Sequence, residues 1–270
     1  NPDHERRAVR RVRARWPNGF VTAGHEILSE YREYERGVTA AVNASVQPVL
    51  HRYLGRLRTE LGARGYERDF LVMRGNGGTE SADTVSDSAV STVMSGPASG
   101  VMAAAWTARA AGIRDVVTYD MGGTSTDVGL IRDGVPEVSS ELELEYAMPI
   151  HVPMVDVHTI GAGGGSIASV EAGGLLKVGP RSAGAVPGPI AYGRGGEQVT
   201  ITDANLLLGR LNPEGLLAVE NPAALATVER AMSEQIGTPL GLDPYEAAEA
   251  VIRIANDAMA NALRIVSLAR

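Results

Sequence analysis

The amino-acid sequence predicts a mixed α/β (α+β) fold, and three observations support this prediction. Apolar residues recur every three or four positions along two long stretches, which is typical of helices that pack on a core. Short runs of branched apolar residues alternate with turn residues, which is typical of strands. Glycine is abundant, with 32 residues among 270, so several turns are built for special backbone conformations.

Six helices are predicted, and they cover residues 9–16, 38–61, 98–111, 204–208, 223–235 and 245–268. The second should end at Gly62 and bend at Pro48, because proline removes a backbone donor. The third follows Pro97 and is rich in alanine, which permits close packing. The last helix has a predicted buried face formed by Ala248, Val251, Ile252, Ala255, Met259, Ala262, Leu263 and Val266.

Six strands are predicted from short apolar runs, and they cover residues 70–73, 116–120, 128–131, 135–138, 152–158 and 199–202. The first is followed by a tight turn at Gly75–Gly78, and Asp133-Gly134 is a signal for a hairpin. Residues 179–197 are rich in Gly, Pro and Ala and are predicted to form an ordered loop. Asp203 precedes a predicted helix and is interpreted as its N-cap.

Composition restricts the possible partners. Hydrophobic residues make up 44% of the chain, which is enough for a globular core. The formal net charge is −7 and no long basic run occurs, so we expect no nucleic-acid partner. The absence of Cys excludes disulfides and a cysteine nucleophile, and it fits a cytoplasmic location. No apolar run reaches the roughly 20 residues that a membrane span needs, so we expect no membrane partner.

The most informative segment is residues 120–127, which read DMGGTSTD and join two apolar strands. Adjacent glycines let backbone approach an anion, and successive amides in such a turn form an anion nest. The predicted phosphate-binding residues are Gly122, Gly123, Thr124, Ser125 and Thr126. Asp120 and Asp127 flank them and are the candidate catalytic residues, which would hold hydrated Mg²⁺ or orient an attacking water. The alternative is a plain hairpin whose polar groups satisfy local backbone.

A second constellation is formed by Asp156 and His158, two positions apart on a predicted strand and therefore on one face of it. A carboxylate and an imidazole together suit a divalent metal or an acid/base pair, so the pair is predicted to bind substrate or a second divalent metal. The alternative is a buried hydrogen bond that stiffens the end of the strand. His151 is either a third ligand or a structural residue.

The glycine loop that follows is interpreted as backbone close to substrate or phosphate, and its candidate residues are Gly163, Gly164, Gly165 and Ser166. A glycine-rich turn packed against a strand is the alternative, and the spacing does not fit a dinucleotide fingerprint. Arg181 and Arg194, with Ser182, lie in the Gly/Pro loop, where an arginine would clamp a carboxylate or phosphate. A solvated surface arginine is the alternative.

The hairpin resembles the phosphate-binding hairpin of the actin, hexokinase and heat-shock chaperone ATPase superfamily. The small-residue helix after Ser95-Gly96-Pro97 resembles the helix that crosses between the two lobes of that fold. This resemblance implies an incomplete actin-like fold, consisting mostly of the second lobe with part of the first. Residues 1–112 would then end the first lobe with the crossing helix, and residues 113–270 would form a second lobe cut at its C-terminal end.

A closer resemblance is to the hydantoinase A and 5-oxoprolinase family, and it covers almost the whole chain. It is carried by GHE at residue 24, YREYER at 31, GNGG at 75, DMGGTSTDVGLI at 120, DVHTIGAGGGSIA at 156, VGPRSAGAVPGPIAYGRGG at 178 and ITDANLLLGR at 201. The resemblance implies an ATP- and Mg²⁺-dependent hydrolase of small cyclic amides such as hydantoins or 5-oxoproline. It also implies a B-type partner subunit, and a fragment that is inactive by itself.

Two other functions remain open from the sequence. One is a subunit of an ATP-dependent ketone carboxylase, which resembles the same family. The other is a non-catalytic interaction subunit that uses the nucleotide fold to hold a partner. A sugar-kinase-like phosphotransferase is disfavoured by the segments that begin at Asp156 and Gly179.

Overall fold

The computed structural model describes residues 2–144, 148–216 and 219–268. The chain divides into two compact units, and it passes between them three times. The first unit contains Asn1–Val116 and Ile131–Asp156, and the second contains Val117–Leu130 and Val157–Arg270. The predicted division into two lobes at residue 112 stays a prediction.

The helices of the first unit are α1 (Pro2–Arg13), α2 (Gly24–Ile27), α3 (Glu33–Ala63), α4 (Ala82–Asp87) and α5 (Ser95–Ala110). The long helix predicted from apolar periodicity is α3, which continues through Pro48. The prediction that Gly62 ends this helix is wrong by one residue. The buried Asn43 of α3 accepts a hydrogen bond from the Val90 amide and donates to the Asp87 carbonyl, which ties α3 to the segment that follows α4.

The strands of the first unit form short antiparallel pairs. They are β1 (Leu71–Met73) with β2 (Thr79–Ser81), β6 (Val138–Ser139) with β9 (Met154–Val155), and β7 (Leu142–Leu144) with β8 (Met148–Ile150). The strand β5 (Val135–Pro136) pairs with the last two residues of β4 (Thr126–Arg132) across the predicted Asp133-Gly134 turn. Both turn residues have positive φ, which matches the tight hairpin geometry that an Asp-Gly pair favours.

The second unit begins with a sheet in the order β10-β4-β3, formed by β3 (Val116–Met121), β4 and β10 (Val157–Ile160). A two-stranded ribbon of β11 (Ser166–Glu171) and β12 (Leu175–Ser182) follows. The helices are α6 (Ile201–Leu207), α7 (Leu225–Met232), which continues as a π turn, α8 (Thr238–Leu240) and α9 (Pro244–Leu268). The predicted buried face of α9 is confirmed: seven of its eight residues are buried, and Leu263 is partly buried against the core.

Three predicted strands are corrected by the structure. The strand predicted over residues 135–138 is broken at Glu137, because β5 pairs with β4 whereas β6 pairs with β9. The strand predicted over residues 152–158 is broken at Asp156, because the Asp156 amide donates to the Glu137 carbonyl between β9 and β10. The strand predicted over residues 199–202 is wrong, because Thr200 is the N-cap of α6 and the two residues after it are already helical. No helix within the described parts of the chain is long and apolar enough to cross a bilayer.

Candidate functional site

The β3–β4 hairpin carries the two candidate catalytic aspartates on one face. On β3, Met121 packs against the core and the Tyr119 hydroxyl donates to the Met259 sulfur of α9. Because side chains alternate along a strand, Asp120 projects from the opposite face, and it is exposed. Burial raises the pKa of Tyr119, which fits its position on the core side of the strand.

The same alternation positions the second aspartate on β4. Thr126 and Val128 are fully buried, so Asp127 between them projects away from the core and is half-buried. Its Oδ1 accepts a hydrogen bond of 2.6 Å from the Thr159 hydroxyl, which fixes the carboxylate. The hairpin therefore presents the carboxylates of Asp120 and Asp127 on the same outward face.

The turn of the hairpin has glycines that the fold itself does not require. The turn is closed by a 2.9 Å hydrogen bond from the Gly122 amide to the Ser125 carbonyl. Neither Gly122 nor Gly123 has positive φ, so backbone conformation does not demand glycine at either position. A Cβ on Gly123 would meet no atom within 4 Å, and one on Gly122 would meet the Ser125 carbonyl oxygen only at an ordinary 3.6 Å. Open space therefore lies beside both glycines.

The second glycine loop lies directly against this turn. The Gly164 amide donates to the Gly122 carbonyl at 3.0 Å, and the Gly165 amide donates to the Gly123 carbonyl at 2.6 Å. A Cβ on Gly163 would lie 2.6 Å from the Ser125 nitrogen, well inside any real contact distance. The glycines at 163 and 165 are therefore required by close packing of backbone on backbone.

Hydrogen bonds to Ser166, Thr202 and Thr126 anchor the glycine loop. Gly163 donates its amide to the fully buried Ser166 hydroxyl at 2.8 Å. The Gly164 carbonyl accepts two hydrogen bonds of 2.8 Å from Thr202, one from the amide and one from the hydroxyl. The Thr126 hydroxyl donates to the Ala162 carbonyl. The predicted substrate or phosphate role of Gly163, Gly164, Gly165 and Ser166 stays a prediction, and their visible contacts support the hairpin turn.

Asp203 is not the N-cap that the sequence predicted, but a buried residue in the first turn of α6, whose N-cap is Thr200. Asp203 is fully buried and accepts hydrogen bonds from the amides of Ile190, Ala191 and Thr200 and from the Thr200 hydroxyl. Burial raises the pKa of its carboxyl, while these hydrogen bonds oppose the rise. Asp203 is the third residue of a capping box whose N-cap is Thr200, and the spacing T-x-x-D was the available signal.

Asp156 and His158 do not share a strand. Asp156 lies between β9 and β10 and belongs to the first unit, whereas His158 lies on β10 in the second unit. His158 is on the same face of β10 as Ile160, which packs on the core, and this face is opposite to the one carrying Asp127 and Thr159. The predicted role of this pair in binding substrate or metal stays a prediction.

His151 is held by carboxylates of the first unit. Its Nδ1 lies 3.0 Å from Glu30 and its Nε2 lies 3.6 Å from Glu141, and its ring is nearly buried. The His151 amide also donates to the Thr39 hydroxyl of α3. Among the residues that the structure describes, no group of three or more metal-binding side chains is arranged to hold an ion.

Comparison with known proteins assigns the family. The sequence matches the Hydantoinase/oxoprolinase family over residues 36–270. The chain belongs to the hydantoinase/oxoprolinase family. It is 43% identical to the caprolactamase subunit alpha of Pseudomonas jessenii, over 100% of this chain and 39% of that protein. It is 37% identical to the acetophenone carboxylase gamma subunit of Aromatoleum aromaticum, over 98% of this chain and 37% of that protein.

A solved structure of this hydantoinase/oxoprolinase group supports the fold. The chain superimposes on a nucleotide-free acetone carboxylase, described in work on ATP-dependent acetone carboxylation, with a TM-score of 0.85 and 29% identity. The match covers 98% of this chain and 38% of that one. The predicted fold class, a mixed α/β fold of the actin and hexokinase ATPase type, is confirmed. The chain spans about two-fifths of the length of these relatives.

Proposed function

We propose that this chain is the phosphate-binding part of an ATP-dependent enzyme subunit that opens small cyclic amides. The observation that carries the proposal is the pair of glycines at the β3–β4 turn. Neither conformation nor internal packing demands glycine at 122 or 123, whereas one or both demand it at many other positions, although not at Gly19, Gly37, Gly55, Gly62 or Gly96. Two such glycines in succession at a hairpin turn leave room for an anion to approach the backbone closely.

The polar groups around this turn fit nucleotide phosphates and a divalent cation. The carbonyls of Gly122 and Gly123 are already bonded to the second glycine loop, so the turn is fixed before a ligand arrives. The hydroxyls of Thr124 and Ser125 provide donors beside the amides. Asp120 and Asp127 would hold Mg²⁺ and orient water from the outward face of the hairpin, and Mg²⁺ would neutralise phosphate charge.

The chemistry follows from the weakness of an amide as an electrophile. ATP supplies the phosphoryl group that is transferred to the amide carbonyl oxygen, which converts that oxygen into a good leaving group. Water then adds to the carbon and the carbon–nitrogen bond of the ring breaks, which leaves an acyl phosphate. A second water hydrolyses this acyl phosphate to the carboxylate and phosphate. The products are an open-chain amino acid, ADP and phosphate. In this scheme the rigid turn contributes positioning and stabilisation of charge, which are the main protein contributions to phosphoryl transfer.

An ATP-dependent ketone carboxylase is the second candidate function. It is favoured by the similarity to the acetophenone carboxylase subunit and to the acetone carboxylase structure. Both functions activate a carbonyl group with ATP and would use the same hairpin. Incorporation of labelled bicarbonate into product would assign the carboxylase, and release of an amino acid from a lactam would assign the hydrolase.

We also propose that the chain works with a B-type partner subunit in the cytoplasm. Two of the relatives are themselves named as subunits, which supports a partner. An interaction subunit without catalysis is the remaining candidate. It would be favoured by a full-length protein that hydrolyses no ATP when the partner and candidate amides are both present.

The test is phosphate release by the full-length protein with its partner subunit, ATP, Mg²⁺ and caprolactam or 5-oxoproline. We expect Asp120→Asn and Asp127→Asn each to lower amide-dependent turnover by about 100-fold, the size of effect seen when one preorganised charge-stabilising group is removed. Asp133→Asn is the matched control, because Asp133 lies in the other turn of β4 in an exposed ion pair with Arg114. Wild-type turnover in both hairpin variants would reject the assignment.

A further inference from the structure

A cavity of about 440 Å³ lies in the second unit, where the Gly/Pro loop folds back on the end of β12. Its lining residues are Ile167, Arg181, Ser182, Ala183, Pro187, Gly188, Gly195, Glu197 and Gln198. None of the aspartates or glycines of the β3–β4 hairpin lines it. A cavity of this volume is within the range of small-molecule sites in proteins.

The cavity contains one positive and one negative side chain that are not paired with each other. Arg181 and Glu197 both line it and are exposed to solvent, and neither forms an ion pair within the part of the chain that the structure describes. The guanidinium of Arg181 makes only a long 3.4 Å hydrogen bond to Gln198 Oε1. A ligand with two opposite charges would contact both groups, whereas a simple anion or cation would contact only one of them.

The uncharged walls of the cavity are shaped for a compact polar ligand. The Gly196 backbone closes against the loop, since a Cβ there would lie 2.2 Å from the Gly188 carbonyl oxygen. A Cβ on Gly195, in contrast, would meet no atom within 4 Å, so this side of the cavity is open. The hydroxyl of Ser182 and the side-chain amide of Gln198 are hydrogen-bonding groups of the same lining.

We propose that this cavity is a binding site for a small zwitterionic amino acid. The carboxylate of the ligand would be held by the planar fork of Arg181, which matches carboxylate geometry, and its ammonium group by Glu197. Hydrolysis of a cyclic amide generates a molecule with these two charges, so the identity of the natural ligand as a ring-opened product rests on the proposed function. The existence of the site rests on the cavity and its two oppositely charged side chains alone.

The cavity is connected to the hairpin by a short path of backbone hydrogen bonds. The Ala183 amide in the cavity wall donates to the Gly165 carbonyl at 2.8 Å, and the Gly165 amide donates to the Gly123 carbonyl. A Cβ on Gly165 would meet the Ser182 hydroxyl at 2.9 Å, so no space separates these segments. An amino acid bound in the cavity would therefore lie against the segment that is hydrogen-bonded to the phosphate-binding turn.

The experiment is calorimetric titration of 6-aminohexanoate and of L-glutamate into the full-length protein without nucleotide. Hexanoate and hexylamine serve as probes with one charge each. We expect at least one of the two amino acids to bind at least tenfold more tightly than either single-charge probe. Arg181→Met and Glu197→Gln should each weaken that binding by about tenfold, and Arg210→Met, an exposed arginine outside the cavity, should not change it.

Each outcome decides the proposal. No binding of either amino acid, equal binding of a single-charge probe, or binding that survives both cavity substitutions would overturn it. Circular dichroism of each variant shows that a loss of binding is not a loss of folding. The titration contains no ATP or amide, so its result does not depend on whether the proposed enzymatic function is correct. Conversely, a failure of amino-acid binding would not affect the assignment of the hairpin.

Discussion

The two glycine-rich loops of the second unit look alike in sequence and differ in what their glycines do. In the loop at residues 163–165, an added Cβ at any of the three positions would lie less than 3.0 Å from a neighbouring atom. In the turn at residues 122–123, it would meet open space or an ordinary contact. Protein atoms therefore fill the space around Gly163, Gly164 and Gly165, whereas the space beside Gly122 and Gly123 is open.

This difference shows how one glycine motif supports another. The loop at 163–165 uses its missing side chains to approach the hairpin turn and to donate amides to the carbonyls of Gly122 and Gly123. Those hydrogen bonds preorganise the turn, which is the property that electrostatic stabilisation of transferred phosphate requires. A count of glycines alone does not distinguish closely packed glycines from glycines beside open space, whereas the distances from a Cβ built on each glycine do.

The largest expected effect on stability comes from filling the supporting loop. Gly163→Ala would bring a Cβ within 2.7 Å of three backbone atoms of the turn, so the two segments must separate. We expect a loss of about 3 kcal/mol in the free energy of unfolding, at the upper end for overpacking of a core. Urea unfolding of the variant and of wild type measures it. Equal midpoints would show that the loops are not held in close contact.

A smaller effect on stability is expected at Thr202, which anchors the loop at residues 163–165. Thr202→Val keeps the shape of the side chain and removes the hydroxyl hydrogen bond to the Gly164 carbonyl, which still accepts the Thr202 amide. We expect a loss of about 1 kcal/mol in the free energy of unfolding, the usual contribution of one such hydrogen bond. The control is Thr107→Val, which removes an exposed intrahelical hydrogen bond. A loss no greater than that of the control would contradict this role.

The smallest effect is a pH dependence of the free energy of unfolding that comes from Asp203, the residue after Thr202 in α6. Because burial raises the pKa of this carboxyl in the folded chain, the unfolded chain releases the proton first as pH rises. The contribution of Asp203 to stability is therefore complete below its ordinary pKa and decreases as pH rises through the raised folded value. A ¹³C NMR titration of the Asp203 carboxyl should give a pKa above the ordinary 3.8, and a lower value would reverse this sign.

Much of the fold could be predicted because its signals are local. The buried face of α9 follows from apolar periodicity, and the turn after β4 follows from Asp133-Gly134, whose conformation is set by the two residues themselves. The hairpin and its two aspartates could also be predicted, since strand alternation puts Asp120 and Asp127 on one face once the neighbouring residues are known to be buried.

The errors have two causes: one strand is interrupted by a distant contact, and another gives way to a local capping motif. The strand predicted up to His158 is interrupted because the Asp156 amide bonds to Glu137, nineteen residues earlier in the chain. The strand predicted at residues 199–202 competes with the capping box of Thr200 and Asp203, which starts a helix instead. The stacking of Gly163 on the hairpin turn is also a distant contact, and no local pattern in the sequence reports it.

The most direct test of the open turn is Mg-ATP affinity of Gly123→Ala, measured by calorimetric titration of the full-length protein beside wild type. An alanine at this position meets nothing in the protein, so the thermal midpoint should stay within about 2 °C of wild type, as for a neutral surface change. The new methyl group would occupy the space beside the turn, and we expect Mg-ATP to bind at least tenfold more weakly. Unchanged affinity, or no Mg-ATP binding by the wild-type protein, would contradict the proposal that this turn holds the phosphates.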